Sequence, residues 1–294
     1  CGAAIPVIGQ ISVAYVEGDV YVVDASGQQR LRIGDSLRGS DSVRLESNAY
    51  LELQTASDLM RMFAPGTYEL STILGERQSA PGVATQVASR LVVMMAGTER
   101  GGSTVAGVRN DDAASATDIG TADAWGLLVE EGFAAFSRGE FGPARDLFRE
   151  AVAFSSGLRA DEARVYQAVA EVQLGSQIDA FRTIEPVQLL PGTSAYPLFV
   201  LTKSRLLYDS RAYEQALTFS DRVLRTNSRG GKLNEQTVDQ LRFTQALSAL
   251  RLGYEPAATT ILLELSKSGM QGLSEEAHRI LEELFVPEKR MINL

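Results

Sequence analysis

Leu128-x-x-x-Gly132-x-x-Ala135-x-x-x-Gly139-x-Phe141-x-x-Ala144-x-x-x-Phe148-x-x-Ala151 is the stretch that decides how the second half of this chain is read. Its apolar and small positions recur with a helical period rather than a period of two. Gly132, Ala144 and Ala151 are small enough to sit where two antiparallel helices touch, and Phe141 and Phe148 fill the gaps between them. The skeleton returns in weaker form at Ala168/Gly175/Ala180, at Ser204/Tyr213/Ala216 and at Ala246/Gly253/Ala258. Ala144, Ala180 and Ala216 are spaced by 36 residues, and Ala258 follows after 42, with the insertion in the polar run Thr226–Gln236. The pattern predicts four helix pairs closed by a last helix near Ser274–Phe285.

This skeleton resembles a tetratricopeptide (TPR) unit. Each unit of such an array contacts only its neighbours, and the stack implies an extended concave surface that binds other proteins. Counted from the Gly132 position, Val129, Phe133 and Phe136 line that surface. Later repeats add Val165, Val169 and Val172, then Leu201, Arg205 and Tyr208, then Phe243, Leu247 and Leu250. Val129, Phe133, Phe136, Val169, Arg205, Tyr208, Phe243 and Leu247 are the partner-binding candidates. Arg205 is the one charged member of the lining, which suits an amphipathic helix better than a carboxylate tail. The same register leaves Arg164, Gln167 and Glu171 at positions that should pack. A shift by one would instead make the apolar set ordinary core, and both readings stand at this point.

Upstream, from Gly9 to Leu70, the apolar residues alternate: Ile11, Val13 and Tyr15, then Val20 and Val22, Val43 and Leu45, Leu51 and Leu53. A period of two buries one face of each segment. Glu17-Gly18-Asp19, Ser26-Gly27, Gly34-Asp35, Gly39-Ser40-Asp41 and Pro65-Gly66 supply turns between them. The expectation is an antiparallel β-domain, either a sandwich or a rolled sheet. Three elements of this half resemble the FecR domain: Leu31-x-x-Gly34-Asp35-x-Leu37-x-x-x-Asp41-x-Val43-x-Leu45, then Asn48-Ala49-Tyr50-Leu51-Glu52-Leu53, then Met62-x-x-Pro65-Gly66-Thr67-x-x-x-Leu70. The element Ser103-Thr104-Val105-Ala106-Gly107-Val108-Arg109 is similar to one that trails such domains, with Asn110 where the family tends to glycine. Signalling members of the family carry a cytoplasmic segment and a transmembrane helix; neither is read in these residues, so the resemblance is expected to carry over a periplasmic recognition module rather than a sigma-factor regulator.

Between the halves, residues 97–123 are rich in Gly, Ser, Thr, Ala and Asp and read as a linker or a domain extension. Val87–Met95 reads equally as a short helix or a last strand. The expected organisation is α+β in separate domains: a tether at 1–8, a FecR-like β-domain at 9–96, the linker at 97–123, and an all-α TPR-like array at 124–294.

The chain has 294 residues, 45% of them hydrophobic and 22% charged, with a net charge of −9 and no basic block of the kind that nucleic acid selects. Its longest apolar run, Leu91 to Gly97, is far short of the roughly 18 residues that span a bilayer. The single cysteine is Cys1, followed by Gly2. A start of this kind resembles a mature bacterial lipoprotein, which implies a covalent lipid on Cys1 and, from Gly2, the outer membrane; a cloning boundary is the alternative. One acyl chain holds only marginally, at about 0.8 kcal/mol per methylene, so a stable anchor takes two or three.

Catalytic chemistry finds few carriers. The one histidine, His278, is read as a surface residue of the last helix, and with one terminal cysteine it makes neither a triad nor a zinc site. Neither glycine pair, at 101–102 or 230–231, has the context of a phosphate loop. Adjacent acids such as Glu130-Glu131 do not face one another on a helix. The expectation is a non-enzymatic envelope lipoprotein on the periplasmic side of the outer membrane, with anchoring in the inner membrane as the alternative. It would have no cofactor and no nucleic-acid or small-molecule partner, and would act as a scaffold or assembly adaptor for protein partners. A periplasmic signal transducer is the alternative, and a weaker third reading is a carbohydrate- or peptidoglycan-binding adaptor, for which the β-half offers only the aromatics Tyr15, Tyr21, Tyr50, Phe63 and Tyr68.

Overall fold

A computed structural model of the chain describes residues 11–24, 27–55, 59–74, 116–231 and 233–285. Cys1, Gly2, the segment Val87–Met95 and the element Ser103–Arg109 with Asn110 lie outside the described residues.

Among the described residues the alternating half forms eight strands: β1 (Ile11–Glu17), β2 (Val20–Asp24), β3 (Gly27–Arg30), β4 (Ser36–Leu37), β5 (Ser42–Leu45), β6 (Tyr50–Gln54), β7 (Leu59–Met62) and β8 (Gly66–Glu69). They make two antiparallel four-stranded sheets, ordered β4-β1-β6-β7 and β3-β2-β5-β8, and a short helix α1 (Leu70–Leu74) follows. Period-two burial is plain in β5, where Val43 and Leu45 are buried beside half-buried Ser42 and Arg44, and in β7, where Met60 and Met62 are buried beside exposed Leu59 and Arg61. Tyr15 departs from the expected alternation. The β1–β6 register slips between Val13, opposite Leu53, and Tyr15, opposite Glu52. One extra residue reverses the faces downstream of it, so Tyr15 is exposed although Ile11 and Val13 are buried.

The two aspartates of the FecR-like pattern do the same local work. Asp35 Oδ2 accepts the Arg32 N–H at 2.8 Å, and Asp41 Oδ2 accepts the Arg38 N–H at 2.8 Å. Each aspartate N–H also returns to the carbonyl three residues back, at 3.1 and 3.0 Å. A carboxylate that closes its own turn in this way gives Asp at that position a physical reason. Beside the β7–β8 turn, buried Tyr68 donates its hydroxyl to the Ala64 carbonyl at 2.6 Å.

The helical half begins at Ala116, ahead of the boundary expected at 124, with α2 (Ala116–Ser137). There follow α3 (Phe141–Ala153), α4 (Gly157–Gln173), α5 (Gln177–Ile184), α6 (Tyr196–Asp209), α7 (Tyr213–Ser228), α8 (Glu235–Arg251), α9 (Glu255–Leu265) and α10 (Gln271–Phe285). Four of their connections are copies of one turn. Gly139, Gly175, Arg211 and Gly253 have φ of 78°, 76°, 62° and 77°. Each donates its N–H three residues back, and the next residue donates five residues back, at 2.8–3.1 Å. This is the left-handed termination that satisfies the last carbonyls of a helix. Arg211 adopts it without glycine's freedom, a conformation that costs roughly 1–2 kcal/mol. The next helix then starts at the same offset each time, so Ala144, Ala180, Ala216 and Ala258 are all 0% exposed. The chain therefore repeats a helix–turn–helix unit at the spacing its alanines indicated. The six extra residues of the last interval fall around Arg229–Asn234, where Asn227 Oδ1 accepts the Leu233 N–H at 3.0 Å and Asn234 Oδ1 accepts the Thr237 N–H at 2.8 Å, capping α8.

The described residues fall in two compact units. One takes in the β-sheets with 204–225 and 238–285, and the other takes in 116–203 with 226–237, so the boundaries cut through α6 and α8. In the second unit α2 packs on α3, α3 on α4, and α4 on α5. In the first, α9 packs on α10, which buries Leu273, Ala277, Ile280 and Leu281. Also in the first unit, Gln215 of α7 donates from Nε2 to the Pro65 carbonyl at 2.6 Å, tying the β7–β8 turn to a helix 150 residues further along the chain.

Candidate partner-binding face

The first helix of each pair carries the side chains that the sequence placed on a binding face. In the unit of α2 to α5, Gly132 lets α2 approach α3 so closely that a Cβ there would lie 2.5 Å from Phe148 Cε1. The Phe148 ring fills that space, and Phe133 and Tyr166 surround it with ring centroids at 5.4 and 5.6 Å. Phe133 is half-buried and lies edge-on to Tyr166 at 4.7 Å. Phe136 is 2% exposed against Phe141, and Val129 and Val169 are 8% and 0% exposed. Tyr166 holds its proton up to about 12 because burial disfavours the phenolate, with the Glu162 charge adding to that and a hydrogen bond with Ser194 opposing it.

In the unit that holds the β-sheets, Phe243 and Leu247 of α8 are 3% and 6% exposed. Arg205 and Tyr208 of α6 are half-buried and come together with residues that the sequence reading did not select. Arg205 Nε donates to Asp209 Oδ2 at 2.6 Å. The Tyr208 ring meets Tyr213 at 5.3 Å, and its hydroxyl accepts from Arg251 Nε at 3.3 Å. Burial raises the Asp209 carboxyl above its ordinary range, and the Arg205 charge and hydrogen bond work in the opposite direction. The i,i+4 spacing of Arg205 and Asp209 was a usable local signal. Arg251 gave none, because it reaches Tyr208 from another helix.

Of the eight selected side chains, Val129, Phe136, Val169, Phe243 and Leu247 thus lie in the packing, while Phe133, Arg205 and Tyr208 reach solvent. The polar group of Arg205, Tyr208, Asp209 and Arg251 offers guanidinium donors and carboxylate and phenol oxygens on helices rather than loops. Groups of this kind have the chemistry to hydrogen-bond polar or charged atoms. His278 is exposed on α10, its Nδ1 3.0 Å from the Ser274 carbonyl. Of the β-domain aromatics, Phe63, Tyr50 and Tyr68 are buried, Tyr21 is half-buried, and Tyr15 is exposed.

Comparisons with family models, curated proteins and solved structures find no match to this chain. Among the described residues no cluster of His, Cys, Asp or Glu has the makings of a metal site, and no helix is long and apolar enough to cross a membrane.

Proposed function

We propose that this chain is a non-enzymatic envelope lipoprotein that acts as a scaffold or assembly adaptor, docking protein partners on its TPR-like array and FecR-like module. The observation that carries this reading is the helix pair repeated four times, each with the same left-handed turn and the same buried alanine. Helix-pair repeats of this kind commonly serve protein binding. Phe133 in one unit, and Arg205 and Tyr208 in the other, are the contact residues of this proposal. Cys1, as the lipid-bearing residue, would hold the chain to the periplasmic side of the outer membrane.

A second reading, signal transduction from the β-module into the repeats, draws support from the Gln215–Pro65 hydrogen bond, which ties a turn of the β-domain to a repeat helix. The test begins with intact mass and membrane fractionation from the native host, followed by site-specific photocrosslinking from positions 133 and 208, with exposed position 214 as control. A diacylglyceryl and fatty-acyl mass on Cys1, with a crosslinked protein recovered from 133 or 208 and not from 214, supports the adaptor. Crosslinks that form only after a ligand is added favour the transducer. An unmodified mass refutes the lipid anchor, and equal crosslinking from 214 refutes the face.

A further inference from the structure

Glu171 lies near the end of α4, on the face that packs, and is 4% exposed. Gln167, one turn earlier, donates from Nε2 to its Oε1 at 2.8 Å. Its Oε2 is buried and has no hydrogen-bond partner among the described residues. The groups around it come from three helices. Gln167 of its own helix and Thr183 of α5 both favour the ionised form. Arg145 of α3 contributes a positive charge and Asp179 of α5 a negative one. Arg145 is itself engaged by Asp146 at 2.8 Å. An ion so placed has little water and only a cation shared with Asp146 to balance it. A neutral carboxyl in the same place is an ordinary packing group.

We infer that Glu171 is a proton-sensitive joint between α3, α4 and α5: protonated, it packs and holds the first two helix pairs together; ionised, it loosens them. Burial is the largest influence and raises the carboxyl's hold on its proton above the ordinary range, with the Asp179 charge adding to it and Gln167, Thr183 and Arg145 opposing it. The unfolded chain therefore ionises first as the pH rises. Stability from this group is complete below the ordinary carboxylate range and is lost as the pH climbs to the raised value. An array with such a joint is stiffer below that window than above it, whatever partner it carries.

Glu171→Gln keeps the shape and removes the charge. Thermal unfolding of the full chain and of this variant, at intervals from pH 4.5 to 8, compares them with all other titrating groups in common. The expected result is a melting temperature that falls in the parent relative to the variant as the pH rises, by a few degrees, on the order of what one lost buried contact produces. Hydrogen–deuterium exchange, corrected for its intrinsic pH dependence, should show that loss in α4 and α5. Parallel pH profiles for the two proteins overturn the inference. Should the variant fail to fold, carboxyl ¹³C titration of glutamate-labelled parent protein decides. One resonance titrating well above its fellows supports the joint, and all resonances titrating in the ordinary range overturn it.

Discussion

The approach of α2 to α3 across Gly132 makes a prediction with an internal control. Alanine at a helix interior is favoured over glycine by about 1 kcal/mol, since it restricts the unfolded chain. Gly126 lies on the exposed side of α2, where an added Cβ would have nothing within 4 Å. Gly126→Ala should therefore stabilise the protein by about 0.5–1 kcal/mol. At Gly132 the same methyl would lie 2.5, 2.9 and 3.0 Å from three atoms of the Phe148 ring. That ring is 0% exposed and flanked by Phe133 and Tyr166, so it cannot swing aside without moving both. Overpacking of this kind costs about 1–3 kcal/mol, which exceeds or cancels the helix gain. The two alanine variants should differ by about 1–3 kcal/mol, or roughly 2–4 °C of melting temperature per kcal/mol. Urea unfolding followed by far-UV circular dichroism measures the difference. Combining Gly132→Ala with Phe148→Leu should recover part of the loss, because the two changes share one space. Equal stability of Gly126→Ala and Gly132→Ala, within about 0.3 kcal/mol, would mean that the ring does not press on the α2 backbone and would refute the packing argument.

Tyr68→Phe removes the donor to the buried Ala64 carbonyl and should cost about 1–3 kcal/mol in chemical denaturation, since the acceptor is left without a partner. Gly175→Ala places a Cβ at φ 76° with nothing within 4 Å, so conformation alone should destabilise the repeat by about 1–2 kcal/mol; a neutral outcome would contradict the left-handed turn. Tyr166, held protonated up to about 12, ionises in the unfolded chain first, so its contribution to stability is intact below the ordinary tyrosine range and is lost as the pH rises towards 12. Ultraviolet phenolate titration of Tyr166→Phe against the parent should remove one late-ionising step.

Local periodicity was legible in the residues, and it carried most of the architecture. Val43, Leu45, Leu51 and Leu53 announced buried strand faces because side chains alternate along any strand. Ala144, Ala180, Ala216 and Ala258 announced the helix pairs because a small residue is demanded wherever two helix backbones come close. The last helix was anticipated to within a few residues, at Gln271–Phe285. Both signals belong to single elements, so they survive in one dimension.

What depends on contact between distant segments did not survive. The slip that turns Tyr15 outward is a relation between β1 and β6, and nothing in Val13-Ala14-Tyr15 marks it. Whether Phe136, Val169 and Leu247 face a partner or the interior depends on which neighbouring helices cover them, and burial placed them in the packing. Gln167 and Glu171, two polar residues where packing was demanded, lie at a three-helix junction that only folding assembles. The hydrogen bonds from Arg251 to Tyr208 and from Gln215 to Pro65 join residues 43 and 150 positions apart. The amino-acid sequence by itself thus determined the kinds of element and their repeat, because propensity and periodicity act within a few residues. Only the tertiary structure decided register, burial and the membership of the candidate face, because these are set by which surfaces exclude water from one another.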